Sequence, residues 1–238
     1  MHLVEKGLTR MKWPTIWCAP TTVLLGIGIA AAAQVAPAPP DWEPLKIVLP
    51  EPMFAGTPRD LATPNLEVIT GQPRPPFLAP PGTVNVALKK PVTASVAQPM
   101  IGKWPQLTDG DKRAADGSFI ELAAGPQYVQ LDLGAFYLVY AVVLWHYHME
   151  ARVYFDVVVK TADDPDFISN VKTIFNNDHD NSAGQGVGKQ KEYIETNEGK
   201  LVDAGGVKTR YLRLYSNGNT SSALNHYIEI EVYGAPAQ

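Results

Sequence analysis

The chain of 238 residues has almost no cysteine, since Cys18 is the only one. A single cysteine cannot form an intramolecular disulfide or a cysteine-rich zinc site, so packing or an oxygen-ligated metal must stabilise the fold. Charged residues are also few, at 18%, and the formal net charge of −4 argues against a nucleic-acid partner, which requires a basic surface. The hydrophobic fraction of 45% is sufficient for a core and excludes a wholly disordered chain.

The longest uncharged hydrophobic run lies near the N-terminus. Three basic residues precede an apolar run over residues 16–33 that ends in three alanines. This pattern is typical of a secretory signal peptide, so residues 1–33 are predicted to be removed by cleavage near Ala33 and Gln34. A retained membrane anchor is the alternative, because about 18 apolar residues approach the length of a spanning helix. With cleavage, the protein has no membrane span and is secreted or periplasmic.

Residues 34–83 form a proline-rich arm. Thirteen of the 21 prolines lie in residues 34–82. Proline fixes φ and removes a backbone donor, so this stretch is predicted to be extended. A solvated linker is one interpretation. The apolar residues from Trp42 onward favour an arm that packs on the following domain, with residues 45–49 as a short strand. Such an arm is also a candidate contact for a protein partner.

Short β-rich segments, separated by Gly, Asn and Asp clusters, occupy residues 84–238. Residues 139–145 are continuously apolar, which is typical of a strand covered on both faces. In the last such segment, Ile228, Ile230 and Val232 are predicted to face the core. No long 3.6-residue period occurs in this half. The predicted fold class is therefore all-β, as a sandwich or barrel.

Five segments of this half occur in an informative order. They are residues 85–95 (NVALKKPVTAS), 107–111 (LTDGD), 128–134 (YVQLDLG), 210–214 (RYLRL) and 229–234 (EIEVYG). Together they resemble discoidin domains, also called coagulation factor five/eight type C domains. The resemblance implies a galactose-binding-like jelly-roll β-sandwich of two antiparallel sheets, similar to family 32 carbohydrate-binding modules. It also implies a non-catalytic module that binds a glycan, another cell-surface or envelope component, or a protein.

The same resemblance implies a structural calcium ion as the cofactor. Matched by position, Asp109 and Glu229 would supply carboxylates, Asp111 a backbone carbonyl, and Ser118 a hydroxyl or carbonyl. Calcium takes about six to eight oxygen ligands in a flexible cage, which suits this set. Residues 112–116 lengthen the loop relative to the family pattern. The alternative is that the Asp-Gly-Asp sequence forms only a turn.

Four of the five histidines lie in three predicted loops, at residues 145–152, 176–182 and 216–226. Sugar recognition combines planar hydrogen-bonding side chains with an aromatic face, and these loops contain both. Trp145 or Tyr147 is the predicted platform, although a core position is the alternative for Trp145. The predicted ligand contacts are His146, His148, Arg152, Asn177, Asp178, His179, Asn217 and His226.

The histidine-containing loops permit two further interpretations. A transition-metal site is one, because histidine and aspartate are common ligands of such metals. Its candidate ligands are His146, His148, His179, Asp178 and Asp180. Strand spacing predicts that His146 and His148 share a face. The second is catalysis, because His179 beside an aspartate has the chemistry of an acid–base pair. Neither a G-x-S-x-G nor an H-E-x-x-H motif is present, so a binding module is predicted rather than an enzyme.

Overall fold

The computed structural model describes residue 39, residues 41–54 and residues 61–237, and the predicted signal peptide lies outside these residues. In this described part, no helix has the length and apolar character needed to cross a membrane. A 3-10 helix spans Trp104–Thr108. The strands are β1 (Glu43–Pro44), β2 (Leu78–Ala79), β3 (Val84–Asn85), β4 (Val92–Ala94), β5 (Ile120–Leu122), β6 (Gln127–His146), β7 (Val158–Ala162), β8 (Lys172–Asn176), β9 (Lys200–Ser216) and β10 (Asn225–Pro236).

The long strands β6 and β9 each contribute to two antiparallel layers. Their pairing shifts register between Asp132 and Tyr137, where Gly134 has a φ of 82°. Before the shift, β6 pairs with β4 on one side and with the second half of β9 on the other. β9 pairs in turn with β7, and β7 pairs with β8; these strands form the front layer. After the shift, β6 pairs with the first half of β9 and with β10, which also pairs with β3 and β5; this is the back layer. The predicted all-β sandwich is confirmed.

The core lies between the two layers and consists of alternating side chains. Val129, Leu131 and Leu133 come from the first half of β6, and Val142 and Leu144 come from its second half. All five are completely buried. Removing this apolar surface from water is the main force that holds the layers together.

The outer face of the back layer is buried as well. Trp145 and its neighbours at alternate positions of β6 form a second apolar cluster, and Leu45, Ile47 and Phe77 of the arm pack against it. Residues 139–145 are therefore covered on both faces, as predicted, because the arm supplies the outer cover. These contacts give the described arm an intramolecular role, and they offer no support for a protein partner bound through it.

The strand predicted at residues 45–49 is wrong. The arm pairs instead over β1 and β2, with Pro44 opposite Leu78. Continuing this antiparallel register would place Pro75 and Pro76 opposite the predicted strand. Proline has no N–H to donate, so the ladder ends after β1. The predicted domain boundaries at residues 34 and 84 stay predictions.

A β-bulge in β10 changes which side chains face the core. The register between β10 and β6 shifts between Tyr227 and Glu229. Ile228 is the extra residue and packs in the outer cluster, whereas Ile230 and Val232 lie in the core. The prediction for Ile228 is therefore wrong, because a bulge interrupts the alternation of faces.

Candidate functional site

Histidine and tyrosine side chains form a polar and aromatic chain at one end of the sandwich. The pairing of β5 with β10 places Glu121 directly opposite His226. His226 Nε2 lies 3.2 Å from Glu121 Oε2, and its Nδ1 lies 3.1 Å from the Tyr154 hydroxyl. The Tyr154 ring in turn stacks on His146, with 4.2 Å between ring centroids. Two of the four predicted histidines, His146 and His226, therefore belong to one contact network.

An aromatic pair and an arginine form the accessible side of this network. Phe119 and Tyr147 pack edge to face, with 5.1 Å between ring centroids, and both are half-buried. The Arg152 guanidinium lies 4.6 Å from the centre of the Tyr147 ring, and Glu150 accepts a hydrogen bond from it at 3.0 Å. We call Phe119, Tyr147, Arg152 and His226 the aromatic–arginine cluster. It places flat apolar surface beside planar hydrogen-bonding groups.

Burial sets the protonation of the histidine in the cluster. Burial and the positive charge of Arg152 lower the pKa of His226, although Glu121 acts in the opposite direction. A neutral imidazole has one donor and one acceptor nitrogen. The cluster therefore has Arg152 as its cation at neutral pH, with His226 fixed between Glu121 and Tyr154.

His146 lies beneath the cluster rather than at its surface. Its Nδ1 is 2.6 Å from Glu195 Oε1, and both side chains are completely buried. Its ring also packs against Tyr227, at 4.7 Å between centroids. Burial favours a supporting role for His146 rather than the predicted direct ligand contact. The core alternative for Trp145 is confirmed, since this side chain is also completely buried.

His148 has different contacts from those of His146. His148 is completely buried, and its Nε2 lies 3.0 Å from the backbone carbonyl of Lys112. Strand β6 ends at His146, and the alternation of faces ends with it. The group of three or more metal-ligating side chains found among the described residues contains neither histidine, which gives no support to the transition-metal interpretation.

Asn217 belongs to a separate group around Asp156. Asn217 Nδ2 donates to Asp156 Oδ2 at 2.8 Å, and Ser182 Oγ donates to the same oxygen at 2.5 Å. These contacts join the loops at 176–182 and 216–226 to each other. Loop 216–226 therefore contacts loop 176–182 here and loop 145–152 at the aromatic–arginine cluster, where the His226 and Tyr147 ring centroids are 6.1 Å apart.

Asn177 and Asp178 organise their own loop. Both are buried. The backbone N–H of Val157 donates to Asn177 Oδ1 at 2.6 Å, and that of Ala183 donates to Asp178 Oδ2 at 3.0 Å. Backbone donors therefore use the oxygens that were predicted to bind a ligand. His179 is half-buried, and no hydrogen bond among the described contacts joins its side chain to the aspartates beside it.

Three aspartates on this side of the molecule are arranged so that they could hold a metal ion. Carboxylate oxygens of Asp156, Asp178 and Asp180 lie within 4.8 Å of one another. Burial raises the pKa of Asp178, and the charge of Asp156 acts in the same direction. This set differs from the predicted calcium ligands.

The predicted calcium ligand Glu229 has one oxygen without a partner. The backbone N–H of Gly110 donates to Glu229 Oε1 at 3.1 Å, which places the Asp109 loop beside the last strand. Glu229 Oε2 has no hydrogen-bond partner, and the side chain is completely buried. Burial and the negative charges of Glu231 and Asp109 raise the pKa of Glu229 to about 9. An unpartnered buried carboxylate oxygen beside a second carboxylate fits a cation with oxygen ligands.

The residues in and beside the lengthened loop have contacts of their own. Arg113 contacts the Asp111 carboxylate at 2.8 and 2.7 Å and lowers its pKa, so the backbone carbonyl is the group of Asp111 left for a metal. Ser118 Oγ lies 3.5 Å from Asp111 Oδ2. The buried Lys112 ammonium lies 2.7 Å from Glu231 Oε1. This ion pair compensates Glu231 and leaves Glu229 as the neighbouring carboxylate that lacks a paired cation.

Sequence reasoning missed the contribution of β5 to the aromatic–arginine cluster. β5 carries Glu121 and is preceded directly by Phe119. The signal for Glu121 is weak, because an acidic residue between two buried apolar residues is ordinary in a strand with one exposed face. Its partner His226 is identified by strand pairing, which the sequence does not show.

Neither the comparison with protein families nor the comparison with curated proteins gives a match. Among solved structures, the chain is similar to a family 89 glycoside hydrolase from Clostridium perfringens, with 17% identity and a TM-score of 0.48 over 65% of this chain and 15% of that one. It is also similar to the CBM32-4 module from Clostridium perfringens in complex with GlcNAc-α-1,4-galactose, with 18% identity and a TM-score of 0.45 over 65% of this chain and 96% of the module.

A third similar structure is the fucose-binding module SpX-3 of Streptococcus pneumoniae, with 16% identity and a TM-score of 0.45 over 63% of this chain and 97% of the module. The chain thus spans a small part of the hydrolase and nearly the whole of the two modules. Carbohydrate-binding modules are among the structures to which the chain is similar. At these identities and TM-scores, the likeness assigns no ligand to this chain.

Proposed function

We propose that the protein is a non-catalytic, extracytoplasmic module that binds carbohydrate at the aromatic–arginine cluster. The observation that carries this proposal is the half-buried Tyr147 ring, which packs against the Phe119 ring and against the guanidinium of Arg152. A sugar ring presents a C–H face that packs on an aromatic ring and hydroxyls that bind planar polar groups. The ordered series of discoidin-like motifs gives independent support.

Each member of the cluster has a distinct role in this proposal. Tyr147 is the platform on which a sugar packs. Arg152 orients the sugar, because its planar guanidinium carries several N–H donors and lies against the ring of the platform. His226 holds the cluster together through Glu121 and Tyr154. The polar chain behind it fixes these side chains before the ligand arrives, which reduces the entropy lost on binding.

A glycan array followed by isothermal titration with the best ligand tests this function. Tyr147→Ala is expected to weaken binding by about tenfold, because it removes the aromatic platform. Phe136→Ala is the matched control, since Phe136 is a partly exposed aromatic residue of β6 outside the cluster. The proposal would be contradicted if the array showed no bound glycan, or if the two variants lost the same amount of affinity for the glycan.

We also propose that a structural calcium ion binds beside Glu229. Its ligands would be the carboxylates of Asp109 and Glu229, together with oxygens of Asp111 and Ser118. The unpartnered Oε2 atom of Glu229 supports this set. Calcium bound there would cross-link the lengthened loop to the last strand and provide the cation that Glu229 lacks.

The extracytoplasmic location is part of the proposal and rests on the predicted signal peptide. Export followed by cleavage after Ala33 would yield a mature chain that begins at Gln34. N-terminal sequencing of the protein from its native source tests this directly. A chain that retains residues 1–33 in a membrane fraction would instead support the anchor alternative.

A further inference from the structure

The outer face of the front layer carries a row of polar side chains that the proposed function does not use. Strand pairing aligns one residue from each of β4, β6, β9, β7 and β8, namely Thr93, Gln130, Arg213, Lys160 and Thr173. Leu212, Leu214 and Val159 flank this row along β9 and β7, and they face the core. The alternation of faces therefore places Arg213 and Lys160 on the outer surface.

Two cations lie directly opposite each other in this row. Lys160 of β7 and Arg213 of β9 are cross-strand partners, and like charges in that position destabilise a sheet. Lys160 donates to Gln185 Oε1 at 2.8 Å. Arg213 donates to Gln130 Oε1 at 2.8 and 2.6 Å and to the backbone carbonyl of Pro165 at 3.2 Å. These acceptors are neutral. Among the described residues, neither cation forms an ion pair, so both positive charges remain uncompensated.

Aromatic rings hold the cations in place. The Arg213 guanidinium lies 4.5 Å from the centre of the Tyr128 ring and 4.1 Å from that of Phe167. The Lys160 ammonium lies 6.0 Å from the centre of the Tyr215 ring. Burial, and then the charge of Arg213, lower the pKa of Lys160. The protein thus keeps two partly buried cations together without an acidic partner, which an anionic ligand would stabilise.

We propose that this face is a second binding site, for an acidic glycan whose carboxylate or sulfate group is bound by Lys160 and Arg213. The exposed hydroxyls of Thr93 and Thr173, at the two ends of the row, offer hydrogen bonds to neighbouring sugars along the same direction. An anionic membrane fits this face less well, because membrane attraction uses clusters of about four or more basic residues. The chain as a whole also has a net charge of −4.

Isothermal titration at low ionic strength tests the second site. The probes are oligogalacturonate for carboxylate, chondroitin sulfate for sulfate, and a neutral galacto-oligosaccharide. Lys160→Gln is expected to weaken binding of the acidic glycan by about fivefold, the effect of losing one charge contact. Lys208→Gln is the matched control, because Lys208 is an exposed lysine of β9 outside the row. It is expected to leave the affinity unchanged.

Two further measurements separate the outcomes. Lys160→Gln is expected to keep or raise Tm, because it removes the like-charge pair, so a loss of binding will not reflect a loss of fold. Tyr147→Ala is expected to leave acidic-glycan binding unchanged, which distinguishes this site from the aromatic–arginine cluster. Equal affinities of Lys160→Gln and Lys208→Gln, no binding of either acidic glycan, or binding to phosphatidylserine vesicles alone would overturn the second site.

Discussion

Glu229 combines complete burial with an oxygen that has no hydrogen-bond partner. Its pKa near 9 in the fold compares with 4.5 in an unfolded chain. Without calcium, the folded protein keeps a proton that the unfolded chain loses above pH 4.5. The free energy of unfolding is therefore expected to fall as pH rises from about 4.5 to about 9. Urea unfolding at several pH values checks this, and Glu229→Gln is expected to flatten the decline.

Calcium is expected to act on the same residue. Since the bound ion replaces the proton on Glu229, its affinity should increase with pH up to about 9. At about 100-fold above Kd, calcium is expected to raise Tm by about 5 °C or more. Glu229→Gln should abolish this shift, and Asp180→Asn, in the three-aspartate group, should retain it. The opposite pattern in calorimetry would place the ion among the aspartates.

Gly199 packs directly against the buried indole of Trp145. It has a φ of 63°, and a Cβ atom there would lie 2.7 Å from the indole ring. Gly199→Ala is therefore expected to lower the free energy of unfolding by about 2 kcal/mol, through both the clash and the backbone strain. Gly184→Ala is the control, because Gly184 has a φ of 69° and open space around it. If urea unfolding showed the same loss of unfolding free energy for both variants, contact with the indole would be unimportant.

At the scale of elements, apolar patterns predict the strands but not their irregularities. Residues 139–145 read as a strand covered on both faces, and the core and the arm do cover them. The bulge at Ile228 leaves no trace in the sequence, because it arises from the pairing of β10 with β6. The end of the arm strand was readable in principle, since Pro75 and Pro76 lack the donors that a longer ladder needs.

The arm is expected to stabilise the back layer. Phe77→Ala removes an aromatic side chain that packs on the outer cluster around Trp145. It is expected to lower the free energy of unfolding by about 2 kcal/mol, less than for a fully buried phenylalanine. Val48→Ala should have almost no effect, because Val48 is an arm residue with 75% of its surface exposed. Urea unfolding of both variants checks this, and a negligible change for Phe77→Ala would make the arm a passive linker.

For the whole molecule, the sequence identified residue types better than it predicted their convergence. Arg152 and His226 do meet in the aromatic–arginine cluster, and His146 supports them from below. His148 and Asn217 lie elsewhere, because the direction of a side chain beyond the end of a strand depends on the loop rather than on a two-residue period. Phe119 and Glu121 enter the site through the pairing of β5 with β10, a long-range contact that no local pattern reveals.

The proposed function depends on sugar binding at the aromatic–arginine cluster. A crystal structure of the protein with the glycan selected by the array would show which surface the sugar occupies. A sugar ring is expected within about 4.5 Å of the Tyr147 ring, with a hydroxyl bound by Arg152. A sugar bound on another surface, with the aromatic–arginine cluster empty, would contradict it.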